Sequence, residues 1–315
     1  MDKEKVLFIA HQYHEKTKSC DFMIELFSDF FDVDVSYGMP QELNTNYNTI
    51  IFLQVSPDKK TLKNLKNKNI IFFPMYDAVR AWKFKDWYLL RNCKIINFSK
   101  KIHAILKEIG LNSIYLQYFI EPKEFSKGNK NEVFFWQRVE PINFEVIKKL
   151  FEGKNYKIHL HKATDPNNNF LPPSESDEVK YGITYTDWFD SKKEMWDLIA
   201  KKQIFIAPRV AEGIGMSFLE AMAMGKVIVA NDEPTMNEYI RHGINGYLFD
   251  FNNPTPMDFS DIDRVQKNSW EFCKQGYQKW LEEKSLIIEF IKSKRKSVKI
   301  SFLKKVKSYL FFERL

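Results

Sequence analysis

The stretch Glu212-Gly-Ile-Gly-Met-Ser-Phe-Leu-Glu220, running on into Ala221-Met-Ala-Met-Gly225, decides the fold. The apolar run Ile204-Phe-Ile-Ala207 before it reads as a buried strand, and Met216–Met224 after it as a helix. A strand, a Gly-rich turn and a helix in that order aim a helix N-terminus, with its unpaired N–H groups and positive dipole end, at an anion. Carboxylates at Glu212 and Glu220 add acceptors for sugar or ribose hydroxyls. Taken one at a time, the two glutamates fit a surface turn and an exposed helix position equally well. Anion and hydroxyl recognition side by side describe a nucleotide-sugar site.

Working outward, the same alternation fills most of the chain. Strands are expected at Val6–Ala10, Val33–Val35, Thr49–Val55, Ile70–Phe73, Lys94–Phe98 and Ser113–Gln117. Helices are expected at Ser19–Asp29, Lys59–Lys66 and Lys100–Ile109, the last capped by Ser99 and stopped by Gly110. Glu121–Glu132, polar with Pro and Gly, reads as a linker. The pattern then restarts. Its strands are Val133–Trp136, Lys157–His161, Tyr181–Thr184, Ile204–Ala207 and Val227–Ala230. Its helices are Phe144–Phe151, Lys192–Lys201, Met216–Met224 and Glu233–His242, before a hairpin-like end at Gly246–Asp250. From Asp261 the spacing is helical to the end of the chain. Continuous apolar strands between helices mean parallel sheets covered on both faces. The expected class is α/β: two similar Rossmann-like domains, 1–125 and 131–262, facing a central cleft, with C-terminal helices over 263–315. Ligands of such sheets bind at the carboxyl ends of the strands.

Composition narrows the function. The chain has 315 residues and 44% apolar content, enough for two cores. Its three cysteines, Cys20, Cys93 and Cys273, are far apart and odd in number, which argues against a disulfide framework and for a reducing compartment. Val6–Ala10 is too short for a signal-peptide core, and no window holds 18 consecutive apolar residues. The net charge of +7 is concentrated at one end: residues 284–315 hold ten Lys/Arg and two Glu, while the other 283 carry 38 basic and 39 acidic groups. A near-neutral body with a basic tail argues against nucleic-acid binding.

Past Glu220 the informative stretch continues through Gly225-Lys-Val-Ile-Val-Ala230 and Asn237-Glu-Tyr-Ile-Arg-His-Gly-Ile-Asn-Gly-Tyr-Leu-Phe249. Over about forty residues the chain resembles the C-terminal domain of retaining GT-B glycosyltransferases, glycosyltransferase family 4 (group 1) in particular. The residues that carry the likeness are Pro208, Glu212, Gly213, Gly215, Glu220, Ala221, Ala223, Gly225, Glu238, Gly243, Asn245 and Gly246. The resemblance implies that Glu212 lies by the donor sugar, that Glu220 holds the ribose hydroxyls, and that the backbone of Gly213, Ile214, Gly215 and Met216 faces the donor's sugar and phosphates. It also implies an Arg at the start of the second domain, matched by Arg138, and a Lys five residues later, where this chain has Asn143. Arg209, where relatives have Ser or Thr, is placed to supply the missing charge. In the first domain, the acceptor side in such enzymes, the usual Gly-rich loop is replaced by His11-Gln-Tyr-His-Glu-Lys-Thr17, and of a His-Asp pair only Asp77 is retained.

The expected function is transfer of a sugar from a nucleotide-sugar donor to a glycan or lipid-linked oligosaccharide hydroxyl in bacterial surface polysaccharide synthesis. The enzyme would be a retaining hexosyltransferase type, with Glu212 and Asp77 as catalytic residues. Two triplets, Asp32-Val-Asp34 and Asp261-Ile-Asp263, have the Asp-x-Asp form that binds metals in another glycosyltransferase fold. Neither follows a buried mid-domain strand, so no metal and no cofactor is expected. Over Val298–Leu315 the apolar residues Val298, Phe302, Val306, Tyr309 and Leu310 recur at helical spacing among lysines. That pattern describes a basic amphipathic helix, so residues 292–315 are expected to lie on an anionic membrane, placing the protein on the cytoplasmic face of the plasma membrane. A nucleotide-sugar epimerase and a catalytically silent partner subunit are the alternatives.

Overall fold

The computed structural model describes residues 3–43, 46–294, 298 and 300. The chain forms two compact units: one comprises the chain up to Gln117 together with the chain from Leu281, the other Tyr118–Trp280. Each is built around a six-stranded, all-parallel sheet.

The first unit runs β1 (Lys5–Ala10), α1 (Tyr13–Thr17), α2 (Asp21–Ser28), β2 (Asp32–Tyr37), β3 (Thr49–Leu53), α3 (Lys59–Asn64), β4 (Asn69–Phe73), α4 (Tyr76–Val79), α5 (Phe84–Leu89), β5 (Lys94–Asn97), α6 (Lys100–Ile109) and β6 (Ser113–Tyr115). Its strand order is β2-β1-β3-β4-β5-β6. Every residue of β3 and β5 is buried, as inner strands of a covered parallel sheet should be; β3 is nearly all apolar, whereas β5 also buries Lys94 and Asn97. The edge strand β2 keeps Asp32 and Val35 exposed. α6 shows why its ends were legible: Ser99 Oγ accepts from the Ile102 N–H, Gly110 closes the helix at φ +80°, and Ile102, Leu106 and Ile109 form the buried stripe.

The second unit runs β7 (Asn129–Trp136), α7 (Phe144–Leu150), β8 (Lys157–His161), α8 (Glu175–Lys180), β9 (Thr184–Thr186), α9 (Lys192–Ala200), β10 (Lys202–Ile206), α10 (Met216–Ala223), β11 (Val227–Asn231), α11 (Met236–Tyr239), β12 (Tyr247–Phe249) and α12 (Ile262–Glu283). Its order is β12-β11-β10-β7-β8-β9. Renumbered from β7 and read from the other edge, this is the 3-2-1-4-5-6 order of dinucleotide-binding folds. The first unit instead begins 2-1-3-4-5, the flavodoxin-like order. The two halves are therefore alike in class and different in winding.

Several local expectations change. The hairpin-like end is a single strand, β12, parallel to β11. The strand expected at Tyr181–Thr184 starts at Thr184, because Tyr181 is the C-cap of α8. The helix expected over Glu233–His242 shrinks to the four residues of α11. Asn245 takes over the backbone there, its Oδ1 accepting from the Arg241 N–H (2.7 Å) and its Nδ2 donating to the Tyr239 carbonyl (3.0 Å).

The polar segment read as a linker is bonded into the second unit. The Lys123 and Ser126 N–H groups donate to the Ala223 and Met224 carbonyls, and buried Lys226 Nζ donates to the carbonyls of Ser126 (2.6 Å) and Ala200 (2.7 Å). At the other end, α12 gives way at Lys284 to α13 (Ser285–Lys292). α13 buries Ile287, Ile288 and Ile291 in the first unit. Lys94 Nζ, itself buried, donates to the Ile291 (2.9 Å) and Ser293 carbonyls, and Asn69 Nδ2 to the Ile291 carbonyl (2.8 Å). Ser293 and Lys294 are no longer helical. The amphipathic helix expected over 298–315 lies outside the described residues except Val298 and Ile300, which are not in a helix.

Candidate functional site

In the second unit, β7 pairs with β8 on one side and β10 on the other. The connections leave β7 and β10 in opposite directions across the sheet, so a crevice opens between their carboxyl ends, the place where doubly wound sheets bind ligands. Arg138 follows β7 and Arg209 follows β10. One carboxylate joins them. Asp165, after β8, receives Nε (2.9 Å) and Nη2 (2.7 Å) of Arg138 on Oδ1, and Nε (3.1 Å) and Nη2 (2.6 Å) of Arg209 on Oδ2. The Asp165 side chain is 8% exposed, those of Arg138 and Arg209 14% and 28%. Two guanidinium groups share one carboxylate, and charge-assisted pairs this short hold their geometry firmly. The Arg138 guanidinium also rests on the Trp136 ring, 4.7 Å from its centroid.

Asp165 carried no motif signal. Its loop is fastened to the loop after β7: Glu140 N–H donates to Asn168 Oδ1 (3.2 Å), and Asn169 donates from both its backbone and its side chain to Glu140 Oε1. Asn143, where a Lys was expected, caps α7, accepting from the Val146 N–H (3.2 Å) and donating to the Glu140 carbonyl (2.8 Å).

The loop between β10 and α10 carries Arg209, Glu212 and the glycines. It is held from below by Asn231 Nδ2, which donates to the Val210 carbonyl (2.8 Å), and by buried Thr235, whose hydroxyl meets the Glu212 and Ile214 carbonyls. Gly215 caps α10 at φ +88°, and a Cβ there would stand 1.8 Å from Phe218 Cε1. The N-cap, a glycine, brings no capping side chain of its own, and the positive end of α10 points to this loop.

Neither glutamate is a surface residue: Glu212 is 7% and Glu220 3% exposed. Glu220 faces α9, where Lys192 Nζ contacts Oε1 (2.8 Å) and Trp196 Nε1 donates to Oε2 (3.3 Å). Lys123 Nζ sits over the Trp196 ring, and burial pulls its ammonium below the ordinary lysine range while Glu220 opposes the shift. Lys192 and Trp196 are further site residues that no motif marked, though Lys192 stands at the first position of a helix whose Ser191 cap was readable.

His159 and His161 have structural partners. Both bond Thr186 Oγ1, and His159 also bonds Thr184 Oγ1. Burial lowers each to about 4. Asp77, the other expected catalytic residue, lies in the first unit, in the first turn of α4 after β4, half-buried, with its Oδ1 accepting from the Ala78 N–H (3.0 Å). Of the Asp-x-Asp triplets, Asp34 is paired with Lys5, Asp261 with Arg264, and Asp263 accepts from Gln203.

Residues 119–275, which span this crevice and both glutamates, match the model of the family described as glycosyl transferases group 1. The chain belongs to the group 1 glycosyltransferases. This glycosyltransferase is 26% identical over 239 residues to an uncharacterized glycosyltransferase of Methanocaldococcus jannaschii, covering 66% of the chain and 65% of that protein. It is 24% identical over 278 residues to an uncharacterized protein of the cps region of Klebsiella pneumoniae, covering 79% and 73%. The chain thus spans about two thirds of the length of these relatives.

Among solved structures, Anabaena HepE in complex with UDP and glucose superposes with a TM-score of 0.58 at 14% identity, covering 91% of this chain and 98% of that one. Sucrose-phosphate synthase of Thermosynechococcus elongatus superposes with a TM-score of 0.63 at 12% identity, covering 91% and 99%. At such identities the likeness establishes the fold, and that fold is GT-B. Among the described residues, no helix is long and apolar enough to cross a membrane.

Proposed function

We propose that this glycosyltransferase moves a sugar from a nucleotide-sugar donor, bound in the second unit, to a hydroxyl of a glycan or lipid-linked oligosaccharide. The observation that carries the reading is the pair Arg138 and Arg209, held on Asp165 at the mouth of the β7/β10 crevice. A nucleoside diphosphate is the leaving group, and its growing negative charge is what two fixed guanidinium groups and the N-terminus of α10 stabilise. Glu220 takes the ribose hydroxyls, with Lys192 moving aside or remaining on Oε1, since a carboxylate offers about four acceptor positions. Glu212 faces the donor sugar from the β10–α10 loop.

Transfer proceeds with retention and without a metal. The acceptor hydroxyl attacks as the bond to the diphosphate breaks, its proton passes to the departing phosphate, and Asp77 acts on the acceptor side. The relative from a cps region supports a role in surface polysaccharide synthesis, and the neighbour solved with UDP and glucose supports a nucleotide-sugar donor. The basic segment 292–315, with nine Lys/Arg and one Glu, supports attachment to the cytoplasmic face of an anionic membrane.

A thermal-shift panel of nucleotide sugars tests the reading, because a bound donor raises the melting temperature by mass action. One nucleotide sugar is expected to stabilise the wild type and to lose that effect in Arg209→Ala, which keeps the wild-type melt without ligand. Hydrolysis of that donor, absent in Glu212→Ala, excludes a silent subunit; epimerised donor as the product without acceptor would overturn transfer. Flotation with anionic vesicles of chains with and without residues 292–315 tests the membrane role, and equal binding by both removes it.

A further inference from the structure

The carboxylate of Glu220 is buried, and each of its oxygens has one partner. The residue is 3% exposed. A carboxylate that has lost its water needs compensation on both oxygens. Lys192 Nζ forms an ion pair with Oε1 (2.8 Å), and Trp196 Nε1 donates to Oε2 (3.3 Å). Among the described residues these are the two side chains that meet it. An ionised carboxylate has about four acceptor positions, two on each oxygen, so each oxygen keeps room for one more donor.

Both partners come from α9. Lys192 is its first residue, set by Ser191, whose Oγ accepts from the Glu194 N–H (3.2 Å). Trp196 stands four positions on, which puts it on the same face of the helix. Met195 and Ile199 are buried alongside and fix the rotation of α9. The neighbouring Lys193 and Asp197 pair with each other in the open (2.6 Å). The indole is held as well: Lys123 Nζ lies 2.7 Å from the Trp196 ring centroid and Lys192 Nζ 5.6 Å from it. Lys123 is tied by its N–H to the Ala223 carbonyl (2.9 Å), at the end of the helix that carries Glu220.

We propose that Lys192 and Trp196 are positioning residues that make the donor site select a ribonucleoside over a deoxyribonucleoside. Each occupies one side of one Glu220 oxygen. What remains is one acceptor on each of two oxygens joined to the same carbon. A vicinal diol has the matching pair, two hydroxyls on neighbouring carbons with one proton each to donate. A single hydroxyl fills one oxygen and leaves the other short in a buried place, where a missing bond costs more than a made bond gains. A donor built on deoxythymidine is thereby disfavoured, as is any other sugar nucleotide without both ribose hydroxyls. That the diol is the donor's ribose rests on the function proposed above; the hold of Lys192 and Trp196 on Glu220 is read from the geometry alone.

Calorimetry on the intact chain tests the inference, with UDP, ADP, GDP and CDP as titrants and the 2′-deoxy and 3′-deoxy forms of whichever binds. The wild type is expected to bind at least one ribonucleoside diphosphate about tenfold or more tightly than either deoxy form, as for a bond to a charged acceptor. Lys192→Met keeps the stem and loses the ammonium. Trp196→Phe keeps a ring under Lys123 and loses the N–H. Each should cut that preference to about threefold or less while binding the deoxy forms within about twofold of the wild type. A merely structural change weakens ribo and deoxy forms alike, so equal losses overturn the inference. A preference that survives in either variant overturns it too. A wild type that binds ribo and deoxy forms equally sinks the inference and leaves the donor reading standing. A chain that binds none of the four diphosphates sinks the donor reading, and the inference with it.

Discussion

The winding reversals of the two units occupy equivalent places in differently wound sheets, and different residues stand at them. In the second unit Arg138 and Arg209 share Asp165, and α10 adds its N-terminus. In the first, His14 Nε2 and Gln54 Oε1 meet at 3.1 Å. A parallel sheet with a reversal of winding supplies the place, and the residues just past the strands supply the chemistry. Two units of one class can then carry different residues at the same topological place.

The largest expected effect separates chemistry from binding. Glu212→Gln keeps the shape of the loop and removes its charge. Turnover should fall about a hundredfold or more while affinity for the donor's nucleoside diphosphate, read by calorimetry, stays within about twofold. A matching loss in affinity would make Glu212 part of the binding site and blur the division of labour.

Next come the arginines. Arg138→Ala and Arg209→Ala should each weaken binding of the donor's nucleoside diphosphate roughly ten- to hundredfold, the range for a charge-assisted bond in a partly buried site. The double variant should lose less than the sum, because both act through Asp165. Additive losses would mean that the shared carboxylate does not couple them.

Gly215 and Gly38 give a structural contrast. Both have positive φ, but a Cβ at Gly215 strikes Phe218, whereas at Gly38 it meets nothing within 4 Å. Gly38→Ala should cost about 1–2 kcal/mol for its conformation alone, and Gly215→Ala more, read from denaturant midpoints. Equal costs would show that the α10 entry yields easily, and the preorganised anion site would lose its basis.

The smallest effect is one of slope. Burial lowers Lys226 from 10.5 to about 7. Between those values the unfolded chain holds a proton that the folded chain has released, so stability rises as pH climbs from about 7 towards 10.5. Lys226→Met should melt with a shallower rise across that window. Lys94, lowered to about 8 in the first unit, keeps its own share of the rise in that variant.

What the sequence disclosed follows from where information is local. β3, β5 and α6 were legible because Ile50–Leu53 and Ile95-Ile96 are apolar runs between polar ends and because Ser99 and Gly110 mark the helix ends. The forty-residue run around Glu212 was legible because one loop and one helix carry it. Strand order is set by packing between distant segments, and nothing in the residues announced that the two units wind differently. Asp165 escaped for the same reason: it lies 27 residues from Arg138 and 44 from Arg209, in a loop without periodicity. His14 and Gln54, 40 residues apart, are ordinary polar residues until the sheet brings them together. The short α11 was misjudged because Asn245, from beyond its end, claims the backbone groups a longer helix would use.

The bonds from Lys94 and Asn69 to the end of α13 have a consequence for how the protein is made. The first unit is assembled from the first and last parts of the chain. On the ribosome, the second unit is complete as soon as Trp280 has emerged, while the first still waits for Ile287, Ile288 and Ile291 to cover it. The first unit therefore receives its last packing residues after every residue of the second unit has been made.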